Sequence, residues 1–123
     1  MVIKNGVRMK TNIIVKLQVE GTHNWPTASD FEPSMKYLEY QHRHMFHIVG
    51  KKEVFHDDRD VEFIVFKRKI NDYLVHKYYN SEIDCCDFGS QSCEMLASEI
   101  YKEFDLCYCS VYEDNENGAE VYE

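Results

Sequence analysis

The chain has 123 residues, of which 44% are hydrophobic and 14% aromatic, and a formal net charge of −8. That length suits a single domain spanning residues 1–123 with one buried core, and the composition excludes a disordered chain. The negative charge argues against nucleic acid as a partner, because phosphate binding needs a basic face.

The acidic residues gather at positions 57–60 and 113–123, where a solvated turn and a solvated tail are the simplest account. No apolar run approaches the ~20 residues that span a bilayer, so no membrane partner is expected. Met1-Val2-Ile3-Lys4-Asn5-Gly6 lacks the apolar core of a signal peptide. The five cysteines are odd in number, include the adjacent pair Cys85-Cys86 and contain no CxxC spacing. They do not form a secreted disulfide framework, and a cytoplasmic location is expected.

In chain order, residues 1–10 read as a loose or edge segment broken at Gly6. From Asn12 the pattern alternates, with Ile13, Val15, Leu17 and Val19 on one face and Lys16, Gln18 and Glu20 on the other. This is a half-buried antiparallel strand. The same parity, carried through Gly21, puts His23 on the apolar side, as a core histidine or as one of a set. Residues 24–38, with Pro26 and Pro33, form a long loop with room for a turn of helix. Loops of this length in small domains are often functional.

A second strand is predicted from His42 to Phe55. His42, His44, Phe46 and Ile48 share one face, and Arg43, Met45, His47 and Val49 the other. His42 and His44 then stand ~7 Å apart at Cα on a face that becomes apolar within two residues. Such a pair can hold a metal ion or decorate an edge strand. Lys51-Lys52 suggests an exposed or edge stretch near the far end, and His56-Asp57-Asp58-Arg59-Asp60 an acidic turn.

Helical spacing follows. Phe63, Phe66, Ile70 and Leu74 form a stripe on a helix ending near Asn80, with His76 in its last turn. Residues 81–89 read as a loop. A second helix starts at Ser90 or Ser92 as N-cap and buries Cys93, Leu96, Ile100 and Phe104. A strand over residues 106–113, a turn over 115–118 and a short strand over 119–122 close the chain. Cys107, Cys109 and Val111 share a face with Glu113, which suggests a carboxylate at the rim of a pocket.

Five segments in this order resemble the 6-pyruvoyl-tetrahydropterin and 6-carboxytetrahydropterin synthases, over roughly residues 13–122. Gly21-Thr22-His23-Asn24-Trp25 resembles the family's first-strand histidine segment, and His42-Arg43-His44-Met45-Phe46 its His-Gly-His-x-aromatic strand. Val75-His76-Lys77-Tyr78-Tyr79-Asn80 resembles the Asp-His-x-x-Leu-Asn helix end, and Gln91-Ser92-Cys93-Glu94-Met95 the Pro-Thr-x-Glu-Asn helix start. Val111-Tyr112-Glu113-Asp114 echoes the strand ending in Glu-Thr-Pro.

The resemblance implies an α+β tetrahydropterin-synthase fold (T-fold): a four-stranded antiparallel sheet with two helices on one face, in the order ββααββ. It implies zinc on His23, His42 and His44 with a fourth position open for substrate, which is a catalytic arrangement. It implies a lyase-type enzyme of folate or deazapurine (queuosine) biosynthesis, acting on 7,8-dihydroneopterin triphosphate. Glu113, Ser92 and Glu94 would bind the pterin, and Glu39 and His76 would exchange protons. Family members are homo-oligomers, trimers or paired trimers, with sites at subunit interfaces.

The sequence departs from the family at three positions. No cysteine lies within residues 35–41, where the family's proton-transfer cysteine falls, and Glu39 gives Glu-x-x-His-x-His instead. That pattern resembles a branch in which glutamate is the base and 6-hydroxymethyl-dihydropterin the product. Val75 replaces the aspartate that would orient His76, and Arg43 stands for the glycine between the metal histidines. A relative that has lost catalysis and binds a pterin, a purine or a protein is the alternative.

Overall fold

Two strands of 13 residues each, β3 (Thr11–His23) and β4 (His42–Val54), pair antiparallel along their whole length and form the centre of the fold. The computed structural model describes residues 2–123. Before β3, β1 (Val2–Lys4) and β2 (Val7–Met9) make a separate small hairpin, turned at Asn5-Gly6 with both residues at positive φ. A strand pair thus occupies the segment that the sequence left loose. Asn-Gly supplies the left-handed conformations that a tight hairpin turn requires.

Between β3 and β4 the chain forms α1 (Ala28–Phe31) and a 3-10 helix (Pro33–Glu39). After β4 come α2 (Phe63–Tyr78), β5 (Tyr79–Asn80), β6 (Cys85–Asp87), α3 (Cys93–Glu103), β7 (Tyr108–Glu113) and β8 (Asn117–Tyr122). One six-stranded sheet has the order β5-β6-β3-β4-β7-β8. The four longer strands are antiparallel, whereas β6 joins β3 in parallel at Gly21 and Thr22, so the sheet is mixed. β5 takes the last two residues of the segment read as helix, and β6 falls in the segment read as a loop. They have two and three residues, too few to show an alternation.

β4 lies between β3 and β7 and is not an edge, contrary to the reading of Lys51-Lys52. Their side chains serve locally instead. Lys51 Nζ sits 4.4 Å from the Tyr108 ring centre. Lys52 Nζ donates to the carbonyls of Phe104 and Asp105 at 3.0 and 3.1 Å, which caps the C-terminal end of α3.

α2 and α3 cover one face of the sheet. Val15, Leu17 and Val19 from β3, Phe46 and Ile48 from β4 and Cys109 and Val111 from β7 meet Phe66, Ile70 and Leu74 of α2 and Leu96, Ala97 and Ile100 of α3. Each large side chain buried there contributes roughly 1.5–3 kcal/mol. Phe63, placed on the α2 stripe by its spacing, is exposed because it is the first helical residue and precedes the turn that packs. Ser92 caps α3 as expected, its Oγ accepting from Met95 N at 3.2 Å. Gly21 is needed for contact: a Cβ there would collide with the Phe88 ring, which packs 5.1 Å from Phe46. Among the described residues no helix is long and apolar enough to cross a membrane.

Candidate metal centre

The β3–β4 register places His23 opposite His42 and Gly21 opposite His44. Because residues i and i+2 share a face, His42 and His44 project with Phe46 toward the core side. His23 meets them across the ladder, with ring centres 4.5 Å from His42 and 5.5 Å from His44. One ligand nitrogen from each of these three rings lies within 4.8 Å of the others, so the cluster can coordinate a metal ion. His23 is buried; His42 and His44 are half-buried. Arg43, between the two β4 histidines, points away and pairs with Glu20 Oε1 at 2.7 Å.

Each imidazole is held at Nδ1. His23 Nδ1 contacts the Gln91 carbonyl at 2.8 Å, His42 Nδ1 the Tyr40 carbonyl at 3.0 Å, and His44 Nδ1 the Asp114 carboxylate at 2.7 Å. Carbonyls and ionised carboxylates only accept, so each Nδ1 donates. In a neutral ring the lone pair is then on Nε2. Metal-binding histidines are oriented in this way, by a carbonyl or carboxylate on the ring nitrogen that the metal does not use. His23 Nε2 is buried and makes no hydrogen bond of good geometry among the described residues, and the Glu113 carboxylate faces it.

Glu113 faces Phe46 across β4–β7 and brings a carboxylate to the cluster. Its Oε1 is 3.1 Å from His23 Nε2 and its Oε2 is 3.2 Å from His44 Nε2, as ion-pair contacts. The contact with His23 is the main influence holding the Glu113 carboxyl below its ordinary pKa, against burial, and the charges of all three histidines add to it. Burial pulls the His23 pKa down, but the Glu113 contact, the Gln91 carbonyl and the Glu113 charge together raise it. Without a metal, Glu113 and His23 therefore shift each other in opposite directions, each favouring the charged form of the other.

The cluster opens into a cavity of about 550 Å³. Trp25, Leu38 and Met95 give it apolar walls, and Glu94 and Glu113 give it two carboxylates. Ser92 lines it too, although its hydroxyl oxygen is already committed as the α3 cap. A larger groove of about 790 Å³ lies over Lys16, His47, Lys67 and Arg68, away from the three histidines. The smaller cavity is lined by His23, His42 and Glu113 and is therefore the functional candidate.

Two of the sequence-derived site residues are not brought to the cluster. Glu39 does not line the cavity. Its carboxylate accepts from Ser29 Oγ and from Ser29 N at 2.9 Å, satisfying a free amide of the first turn of α1. Those two hydrogen bonds lower its pKa. His76 is exposed in the last turn of α2 and does not line the cavity either.

Two further residues reach the site although no spacing in the sequence marks them. Asp114, which orients His44, reads in sequence as one more residue of an acidic turn. Cys93 reads as a core residue of α3, yet it lines the cavity with Sγ 3.8 Å from Glu113 Oε1. Burial, and then the neighbouring Glu113 and Glu94 charges, push its thiol pKa up to about 12. It is a neutral thiol, not a nucleophile poised as thiolate.

No family model matches this sequence, and no curated protein matches it. Among solved structures, the chain is similar to an uncharacterized protein, WS1659, from Wolinella succinogenes. The two are 11% identical with a TM-score of 0.55, over 94% of this chain and 99% of that one. Likeness at this identity speaks for a shared fold alone.

Proposed function

We propose that the protein is a zinc-dependent enzyme of the tetrahydropterin synthase type, acting on the side chain of 7,8-dihydroneopterin triphosphate. The observation that carries this reading is the set of three imidazoles, each held at Nδ1 by an oxygen acceptor and with one ligand nitrogen from each within 4.8 Å of the others, beside a cavity that holds two carboxylates. Three neutral imidazoles with room for one exogenous ligand suit zinc in a catalytic role. When bound, zinc would supply Lewis acidity toward the side-chain oxygens of the substrate.

The chain's own residues would do the rest. Glu113 can accept two parallel hydrogen bonds from the amino and ring N–H groups of a pterin. The Trp25 and Met95 walls would cover its faces, and Glu94 offers a further acceptor. Proton transfer is assigned to Glu39 and His76, with 6-hydroxymethyl-dihydropterin as the product of a glutamate base. Glu39 must first leave Ser29, and His76 would reach a site only across a subunit boundary, in a trimer or hexamer.

A second reading is favoured by those two residues. Glu39 is tied to Ser29 and His76 is exposed, so within one chain the metal cluster has neither as a proton-transfer partner. A relative that keeps the metal and the ring pocket but has lost turnover would look the same.

Incubation of the zinc-loaded protein with 7,8-dihydroneopterin triphosphate, with chromatographic detection of pterin products, tests the proposal. Zinc-dependent turnover that is lost in Glu39→Gln, with zinc and ligand still bound, supports the enzyme. Binding of the pterin without turnover, unchanged in Glu39→Gln, supports the binder. Neither binding nor turnover overturns both.

A further inference from the structure

We propose that Asp114 is the positioning residue of the metal centre, fixing the ring of His44 so that its Nε2 is presented to the ion. The role presupposes that the three histidines bind a metal ion, as proposed above. The geometry is built by the turn between β7 and β8. Asp114 and Asn115 both adopt left-handed conformations, with φ of +53° and +58°. They lie at the centre of a tight turn closed by Glu116 N donating to the Glu113 carbonyl at 2.9 Å. An aspartate in such a turn ordinarily faces solvent.

Here the turn is pinned to β4 instead. Asp114 N donates to the Met45 carbonyl at 2.8 Å, and Asp114 Oδ1 accepts from Met45 N at 2.9 Å. The side chain thereby continues the β4–β7 pairing one residue beyond Phe46 and Glu113, in place of a backbone carbonyl. With Oδ1 fixed in this way, Oδ2 lies 2.7 Å from His44 Nδ1. His23 and His42 have only neutral carbonyls at the equivalent nitrogen. A charge-assisted hydrogen bond to a carboxylate is stronger than one to a neutral carbonyl and fixes the ring and its tautomer more firmly. The three ligands are therefore unequal, and His44 is the one that carries its own counter-charge.

A purely structural role, stapling the hairpin to Met45, is the alternative, and the two can be separated. Zinc affinity is measured by competition with a chromophoric chelator for the wild type, Asp114→Ala and Asp114→Asn. The thermal midpoint of each metal-free protein is measured alongside, with the His44 ring N–H resonance followed by NMR in the zinc-bound state. The expected result is one zinc per wild-type chain, an affinity ~10–100-fold weaker in Asp114→Ala, and an intermediate value for Asp114→Asn, which keeps an acceptor but no charge. The His44 Nδ1–H resonance should be shifted downfield only in the wild type. Equal affinity in all three overturns the proposal. So does an Asp114→Asn protein that binds no better than Asp114→Ala, or a loss of metal-free stability with affinity unchanged. Absence of zinc from the wild type would instead overturn the metal reading itself, and this role with it.

Discussion

Glu113 Oε1 lies 3.1 Å from His23 Nε2, and the other oxygen of the same carboxylate lies 3.2 Å from His44 Nε2. One acidic side chain from β7 thus faces two of the three nitrogens that a metal ion would use. In the metal-free protein it acts as a counter-ion. With an ion held by the three imidazoles, Glu113 would stand beside it as a counter-charge and line the cavity.

The pH dependence of the metal-free protein follows from this pair. The His23 pKa is raised above 6.5, so its contribution is complete below pH 6.5 and is lost as pH rises through the folded value. The Glu113 pKa is lowered below 4.5, so its contribution is present above pH 4.5 and is lost as pH falls through the folded value. Thermal midpoints in chelator should therefore decline from about pH 6.5 upward in the wild type, with a flatter profile in Glu113→Gln. Parallel profiles for the two proteins would show that the pair does not set the dependence.

α2 and α3 are joined beside the site by Glu99, which accepts from Tyr73 Oη at 2.7 Å, from Lys77 Nζ at 2.9 Å and from Tyr78 Oη. Tyr78 Oη in turn accepts from Gln91 Nε2 at 2.7 Å, and the Gln91 carbonyl holds His23. Lys77 is half-exposed, so its ion pair adds little. Loss of the half-buried hydrogen bonds in Glu99→Ala should cost about 1–3 kcal/mol in chemical denaturation. A change within 0.5 kcal/mol, about the scatter of ordinary surface substitutions, would mean that water replaces the carboxylate without loss.

Gly21 allows the Phe88 ring to lie against the backbone of β3 directly opposite His44. Gly21→Ala should displace that ring at a cost of roughly 1–3 kcal/mol, measured by urea unfolding. Metal affinity should fall with it, because Phe88 packs on Phe46 beneath the histidines. Wild-type stability in Gly21→Ala would show that Phe88 can move freely.

Alkylation of the native protein tests the state of the thiols. Cys86, Cys93 and Cys109 are buried, with pKa values pushed up to about 11, 12 and 12, and burial is the chief cause in each. Cys107 is half-exposed. Limited treatment with iodoacetamide at pH 8, followed by mass spectrometry, should modify Cys107 first and leave Cys93 intact. Early labelling of Cys93 would identify a reactive thiol in the cavity.

The histidines were legible because a strand's period of two fixes which side chains share a face. Alternation from Ile13 to Val19, carried through Gly21, was enough to put His23 on the side that Phe46 occupies in β4. The same rule set Glu113 beside Cys109 and Val111. What it could not give was the partner of each side chain in the loops, where no period exists. Glu39 was read by its spacing from His42, but its carboxylate is taken by Ser29, ten residues away. Asp114 lies one residue beyond β7, and its contact with His44 depends on two left-handed residues. β6 pairs with the edge of β3 at Gly21 and Thr22 and β5 pairs with β6, contacts between distant segments that no local pattern marks.

The central claim is that His23, His42 and His44 hold a metal ion, and metal content tests it most directly. Purified protein, passed free of loosely bound ions and analysed by elemental mass spectrometry, should contain about one zinc per chain, and His42→Ala should contain essentially none. A wild-type protein with no bound metal, even after incubation with zinc, would contradict the account.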